Sequence, residues 1–144
     1  MKISDLFKIN VQKKETYNKY ILHLECKVKH FDITMEETKS LIDEYLLLLK
    51  KFPKDLSVYI DLRSIETVSP KCVWEGISEC TAHDSEFAET IKQEAIIINN
   101  QKIIWIVNNV LKIHKPIFRF KLTNNEEDAL KFLSAGMHNN YAFE

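Results

Sequence analysis

Apolar positions along this 144-residue chain repeat with two periods, and the switches between them set out its elements. Strand-like alternation marks Leu6 to Val11 and Tyr20 to Val28, where Ile21, Leu24 and Cys26 interleave with His23, Glu25 and Lys27. The polar stretch Gln12-Lys13-Lys14-Glu15-Thr16 between them predicts the turn of an antiparallel hairpin. A helical repeat follows, with Met35, Ile42, Tyr45, Leu46, Leu49 and Phe52 on one face. Thr34 opens it as N-cap and Glu37 completes a capping box. Glu36 and Glu37 suit the positive end of the helix dipole, Lys50 and Lys51 the negative end, and Pro53 lies beyond the stop.

The stretch Leu56 to Trp74 reads as a buried strand (Val58, Tyr59, Ile60) closed by Asp61, then a loop, then a helix starting at Ser69-Pro70. Proline suits the first helical position because its missing N–H has no intrahelical partner there, and Ser69 is the matching cap. Val73, Trp74, Ile77 and Cys80 form an apolar stripe with Lys71, Glu75 and Glu79 outward, and His83-Asp84-Ser85 predicts a break before Phe87, Ala88 and Ile91. Glu94 to Ile98 contains a short, fully apolar core, Ala95-Ile96-Ile97-Ile98, which predicts an interior parallel strand covered on both faces. Ile103 to Val107 is rich in strand formers, but Ile103, Ile106, Val107, Val110, Leu111 and His114 share one helical face, which favours helix. In Ile117 to Leu122, Phe118 and Phe120 alternate with Arg119 and Lys121, predicting a one-sided edge strand with both cations in solvent. Thr123 or Asn124 is the expected cap of a last helix, with Ala129, Leu130 and Leu133 facing in and Gly136 as its C′ stop.

The order is ββαβαβαβα: one α/β domain over residues 1–136 and a loose tail over 137–144. A hairpin feeding three βα crossovers gives a mixed sheet of about five strands with about four helices.

Composition narrows this little. Hydrophobic residues at 45% and charged residues at 28% fit a globular domain, and a net charge of -1 gives no whole-molecule case for nucleic acid or an anionic membrane. The longest apolar runs fall well short of the roughly 20 residues that span a bilayer, and Met1 to Leu6 lacks the apolar core of a signal peptide. A cytoplasmic protein without an integral membrane segment is therefore expected. Cys26, Cys72 and Cys80 have neither CxxC nor CxxH spacing, so no disulfide framework or zinc site is expected.

The candidate chemistry is sparse. Two glycines, Gly76 and Gly136, cannot build a phosphate loop, and His23, His30, His83, His114 and His138 show no metal spacing. No cofactor, metal or catalytic set is expected. Cys72, in the first turn of a helix where a thiolate is favoured, reads as a packing residue rather than a nucleophile served by His83. Loops at the carboxyl ends of strands meet ligands in open α/β sheets, which makes Asp61, Arg63, Ser64, Glu66, Thr67, Val68, Ser69, Lys71 and Cys72 the candidate binding residues. Within that set Asp61 is expected to accept loop N–H bonds or pair with Arg63. Lys112, His114, Lys115, Arg119 and Lys121 form the one basic cluster, a candidate patch for an anionic partner, while Trp74 and Trp105 read as packing residues.

The central block SVYIDLRSIETVSPKCVWEGI and the close FRFKLTNNEEDALKFL resemble the STAS domain of anti-sigma-factor antagonists and its SpoIIAA-like relatives, over roughly Phe7 to Leu133. In that family the helix after the central strand opens with Asp-Ser-Ser-Gly-Leu, whose first serine is the phosphate acceptor. Here the Asp position falls on Ser69, the acceptor on Pro70, the second serine on Lys71 and the glycine on Cys72. The resemblance thus implies a non-catalytic protein-interaction module without the usual phosphoacceptor, whose partner is another protein or a second copy. Ser69 is its one candidate for modification, and an exposed apolar patch is expected near Val68 and Cys72. A second likeness joins EAIIINN and the segment Ile103 to Lys115-Pro116 to the CRAL-TRIO lipid-binding fold. It implies a binder of a lipid or other small apolar ligand, which needs an internal apolar cavity.

Overall fold

The computed structural model describes residues 2–14 and 19–142. A short turn α1 (Ile3–Leu6) leads into β1 (Phe7–Lys14), which pairs antiparallel with β2 (Lys19–Cys26) along its whole length. The hairpin is longer than its apolar alternation: Gln12, Lys13 and Lys14 belong to β1, and the other two expected turn residues, Glu15 and Thr16, lie outside the described residues. β1 is an edge strand, where exposed lysines are well tolerated and also deter pairing with another chain.

There follow β3 (His30–Phe31), α2 (Met35–Leu49), β4 (Leu56–Asp61), β5 (Thr67–Val68), α3 (Pro70–Ala82), α4 (Asp84–Thr90), β6 (Ile91–Ile97), α5 (Gln101–Leu111), β7 (Arg119–Thr123) and α6 (Glu126–Ala142). The main sheet has the order β1-β2-β4-β6-β7, with β2, β4, β6 and β7 parallel. This is the expected mixed α/β sheet of five strands, with Ile103 to Val107 helical. Not foreseen is a second sheet in which β3 and β5 pair in parallel, His30 opposite Thr67 and Phe31 opposite Val68.

The caps hold α2 and α3 where the sequence places them. Thr34 Oγ1 accepts from the Glu37 N–H at 3.1 Å while Glu37 Oε1 accepts from the Thr34 N–H at 2.9 Å, and Ser69 Oγ accepts from the Cys72 N–H at 3.1 Å. At α6 the cap is Asn125, whose Oδ1 accepts from the Asp128 N–H at 2.8 Å, rather than Thr123 or Asn124.

The pleat divides the core between two layers. Leu22, Leu24 and Val58 face α2 and α4 together with Ile42, Tyr45, Leu46, Leu49 and Phe87. Ile21, Tyr59, Ala95 and Ile97 point the other way, onto Ala129, Leu133 and Met137 of α6. Helix α6 corrects three expectations. It runs through Gly136 to Ala142 instead of stopping, so Met137 is core (3% exposed) rather than the start of a tail, and Leu130 faces outward. Gly136 serves close approach: a Cβ there would overlap Gln93 Oε1 and press on the Arg119 guanidinium. Among the described residues no helix is long and apolar enough to cross a membrane.

Candidate functional site

The segment after β4 is fixed by its own side chains. The Arg63 backbone N–H and Nε both donate to Asp61 Oδ1 at 3.0 Å, Nη2 donates to Oδ2 at 2.7 Å, and Nη2 lies 3.5 Å from Glu126 Oε2. Burial alone would raise the Asp61 carboxyl, but the side-chain and backbone hydrogen bonds from Arg63 outweigh it and hold the group below its ordinary range. Ser64 Oγ lies 2.9 Å from both the Cys26 and Val28 carbonyls, to which it donates, tying the loop to the end of β2. Glu66 and Thr67 N–H groups donate to the Lys29 carbonyl at 2.6 and 3.2 Å, and Thr67 Oγ1 meets His30 Nδ1 at 2.7 Å. These contacts build the β3–β5 pair.

The rest of the candidate set is placed without forming a patch. Val68 is half-buried, Ser69 is committed to its cap, and Lys71 extends into solvent 3.6 Å from Glu75. Cys72 is buried, and that burial raises its thiol, outweighing the one backbone hydrogen bond that favours the thiolate. The apolar patch expected at Val68 and Cys72 is therefore absent, because Cys72 packs inward.

The basic cluster also divides. Lys112 and Lys115 border a shallow groove beside Trp105 and Asn109, and Lys121 is exposed on β7. Arg119 turns under α6 instead: Nη1 donates to Gln93 Oε1 at 2.5 Å and to the Phe132 carbonyl at 2.7 Å, with the guanidinium 3.6 Å from the Phe132 ring centroid. Alternation assigned it to solvent, but α6 covers that face of β7. The two tryptophans are also more open than packing residues: Trp105 is 69% exposed, and Trp74 is 42% exposed with its ring edge-on to His114 at 4.8 Å.

On the α6 side of the sheet a polar cleft of about 230 Å3 is lined by Lys8, His23, Tyr59, Asp61, Arg63 and Glu126. His23 stacks on Tyr59 at 4.7 Å, and burial, followed by Lys14, lowers its pKa.

On the opposite side lies an apolar cavity of about 220 Å3, between the sheet and helices α2, α3, α4 and α5. Leu24, Ile60 and Ile96 line it from the strands, Ile42, Ile77 and Val107 from the helices. Two buried polar side chains share this space, Tyr45 from α2 and Glu94 from β6. The Tyr45 hydroxyl has no hydrogen-bond partner among the described residues. None of the hydrogen bonds or ion pairs found among those residues reaches the Glu94 carboxyl, and burial pushes its pKa up to about 7. Burial, then the charges of Glu94 and Cys80, raise the Tyr45 phenol well above its ordinary value, and burial pushes the Cys80 thiol up to about 12. Such groups are suited to holding a ligand; none is an activated nucleophile. Among the described residues no group of three or more His, Cys, Asp or Glu comes together as a metal set.

Sequence reasoning missed Glu94 because the segment Glu94 to Ile98 was read from its apolar core, Ala95 to Ile98, alone. The available signal was parity: in an interior strand, Glu94 shares a face with Ile96.

This fold is similar to the crystal structure of an uncharacterised protein of the DUF3478 family with a SpoIIAA-like fold, from Shewanella loihica PV-4. The match has 17% identity and a TM-score of 0.56, and covers 88% of this chain and 93% of that one. Nothing among curated proteins matches the chain. The STAS-like architecture implied by the central and closing motifs is thus the architecture of this molecule, and the chain belongs to a family defined as a domain of unknown function, DUF7793, whose model matches residues 16–136.

Proposed function

We propose that this STAS-like domain is a non-catalytic module that holds a small apolar ligand between its sheet and helices α2 to α5. The observation that carries the reading is the apolar cavity of about 220 Å3. An apolar recess of this size, lined by the strands and four helices and partly open to the surface, is the kind of concave, mostly apolar space that small ligands occupy. The reading reverses the order implied by the STAS motif alone. The surface that motif pointed to is occupied by its own latches and caps, whereas the cavity is unfilled by the described side chains.

A second role, recognition of another protein or a second copy, is favoured by the rigid segment from Asp61 to Cys72. Its backbone is fixed by Ser64 and by the β3–β5 pair, and it runs into the first turn of α3, where Lys71 extends into solvent one turn before the half-exposed Trp74. The three free cysteines fit a reducing cytoplasm.

Native mass spectrometry of the purified chain tests the ligand reading, with thermal shift in saturating naphthalene as its companion. A retained small-molecule adduct, or a rise in melting temperature with the probe, is the expected result. A chain that carries no adduct and gains no stability from naphthalene rules the cavity out as a ligand site.

A further inference from the structure

We propose that Glu94 and Tyr45 form a head-group anchor inside the cavity, and that its occupant is a compact amphiphile whose single polar head donates a hydrogen bond: a hydroxyl or an amine, not a carboxylate. This rests on the cavity being a ligand site and specifies the ligand's class. A buried polar group without a partner is destabilising and uncommon in native proteins. Here the Tyr45 hydroxyl on α2 is such a group, and the Glu94 carboxyl on β6 lines the same apolar space and joins none of the hydrogen bonds found among the described residues; each residue is only 8% exposed. A ligand head between them supplies both with partners. The walls fix the rest of the molecule, since a dry apolar cavity of ~150 Å3 takes benzene and one of about 220 Å3 has room for about ten non-hydrogen atoms.

Charge selects the head. Among the described residues no lysine or arginine lines the cavity; the titratable groups there are Glu94, Tyr45 on α2, Cys80 on α3, Asp84 on α4 and His114 after α5. A carboxylate head would meet acids with no lysine or arginine to balance it. A hydroxyl can donate to Glu94 and accept from Tyr45, while an ammonium can donate to both. The amine arm carries a pH signature: as Glu94 ionises near neutrality, an ammonium gains a partner of opposite charge.

The test compares four probes of similar size on the full chain: 1-octanol, octylamine, octanoate and naphthalene, by calorimetry or competition. At about pH 7.5, octanol or octylamine is expected to bind about tenfold or more tighter than octanoate, the worth of one buried hydrogen bond. Glu94→Leu abolishes that preference, Tyr45→Phe weakens the octanol complex about fivefold to tenfold, and naphthalene binds wild type and both variants alike. Octylamine affinity rises between about pH 6 and pH 8 in wild type and stays level in Glu94→Gln, which separates Glu94 from His114. Equal binding of octanoate, or a preference that survives Glu94→Leu, overturns the anchor while naphthalene binding leaves the cavity reading standing. Failure of naphthalene as well overturns both.

Discussion

Gln93 and Glu94 are neighbours in β6, nearly the same size, and point to opposite layers of the molecule. Gln93 is fully buried and satisfied: Nε2 donates to Ser57 Oγ at 2.8 Å and to the Leu133 carbonyl at 2.7 Å, and Oε1 accepts from Arg119. Glu94, one residue on, is buried in the cavity and joins none of the hydrogen bonds found among the described residues. The pair marks a difference between the two layers. Under α6 the Gln93 amide is fully paired and the helix sits so close that a Cβ at position 136 would meet it, although His23 Nε2 on the same side finds no partner among the described residues. Under α2 to α5 the Tyr45 hydroxyl and the Glu94 carboxyl line an apolar space and join none of the hydrogen bonds found among the described residues.

The largest expected effect is the pH dependence of Glu94. Its folded pKa is raised from 4.5 to about 7, so its favourable contribution is full below 4.5 and is lost as pH climbs to about 7, because the unfolded chain ionises first. The total is about 3 kcal/mol. Urea unfolding of wild type and Glu94→Gln across this range isolates the contribution: the variant gains on wild type with rising pH and the difference levels off above neutrality. A flat difference curve would mean that Glu94 is solvated after all.

Next in size is the opposite substitution on the other layer. Gln93→Leu keeps the bulk but leaves Ser57 Oγ, the Leu133 carbonyl and one Arg119 hydrogen bond unpaired, at a cost of about 2 to 3 kcal/mol. Glu94→Leu at about pH 8 should stabilise the ligand-free chain, since it removes a buried charge that nothing offsets. If both variants destabilise to the same degree, the contrast between the layers fails.

How far the sequence could anticipate this contrast depends on the range of the interactions involved. The ends of α2 and α3 were legible because capping is local: Thr34 with Glu37 and Ser69 with Pro70 lie within one turn. That β4 and β6 are buried strands was legible for the same reason, from their short apolar runs. The β3–β5 pair was not, since two-residue strands carry no period, and its partners lie 37 positions apart at His30 and Thr67. Arg119 and Gly136 were misread because both depend on where α6 lies, which no local pattern states. Within the loop from Asp61 to Cys72 the Asp61–Arg63 pair and the Ser69 cap were legible because their partners are local, but the hydrogen bonds of Ser64, Glu66 and Thr67 are with β2, β3 and the segment joining them, remote in sequence. The cavity was illegible in outline, because a void is a property of how four helices meet a sheet. Its acid, however, was open to a parity argument.

The two glycines carry the comparison down to its smallest scale. Gly136 in α6 meets Gln93 and Arg119 where its Cβ would stand, so Gly136→Ala should cost about 2 kcal/mol through overpacking despite alanine's better helix propensity. Gly76 in α3 has nothing within 4 Å of that position and no positive φ. Gly76→Ala should therefore stabilise the chain by about 0.5 to 1 kcal/mol, chiefly by restricting the unfolded backbone. Chemical denaturation of both variants at one pH reads the two signs directly. Opposite signs are expected because Gly136 is seated against Gln93 and Arg119 with no slack, whereas a Cβ at Gly76 meets open space. A loss of stability in Gly76→Ala would show that position 76 is packed as tightly as position 136, and the contrast between the two helices would fail.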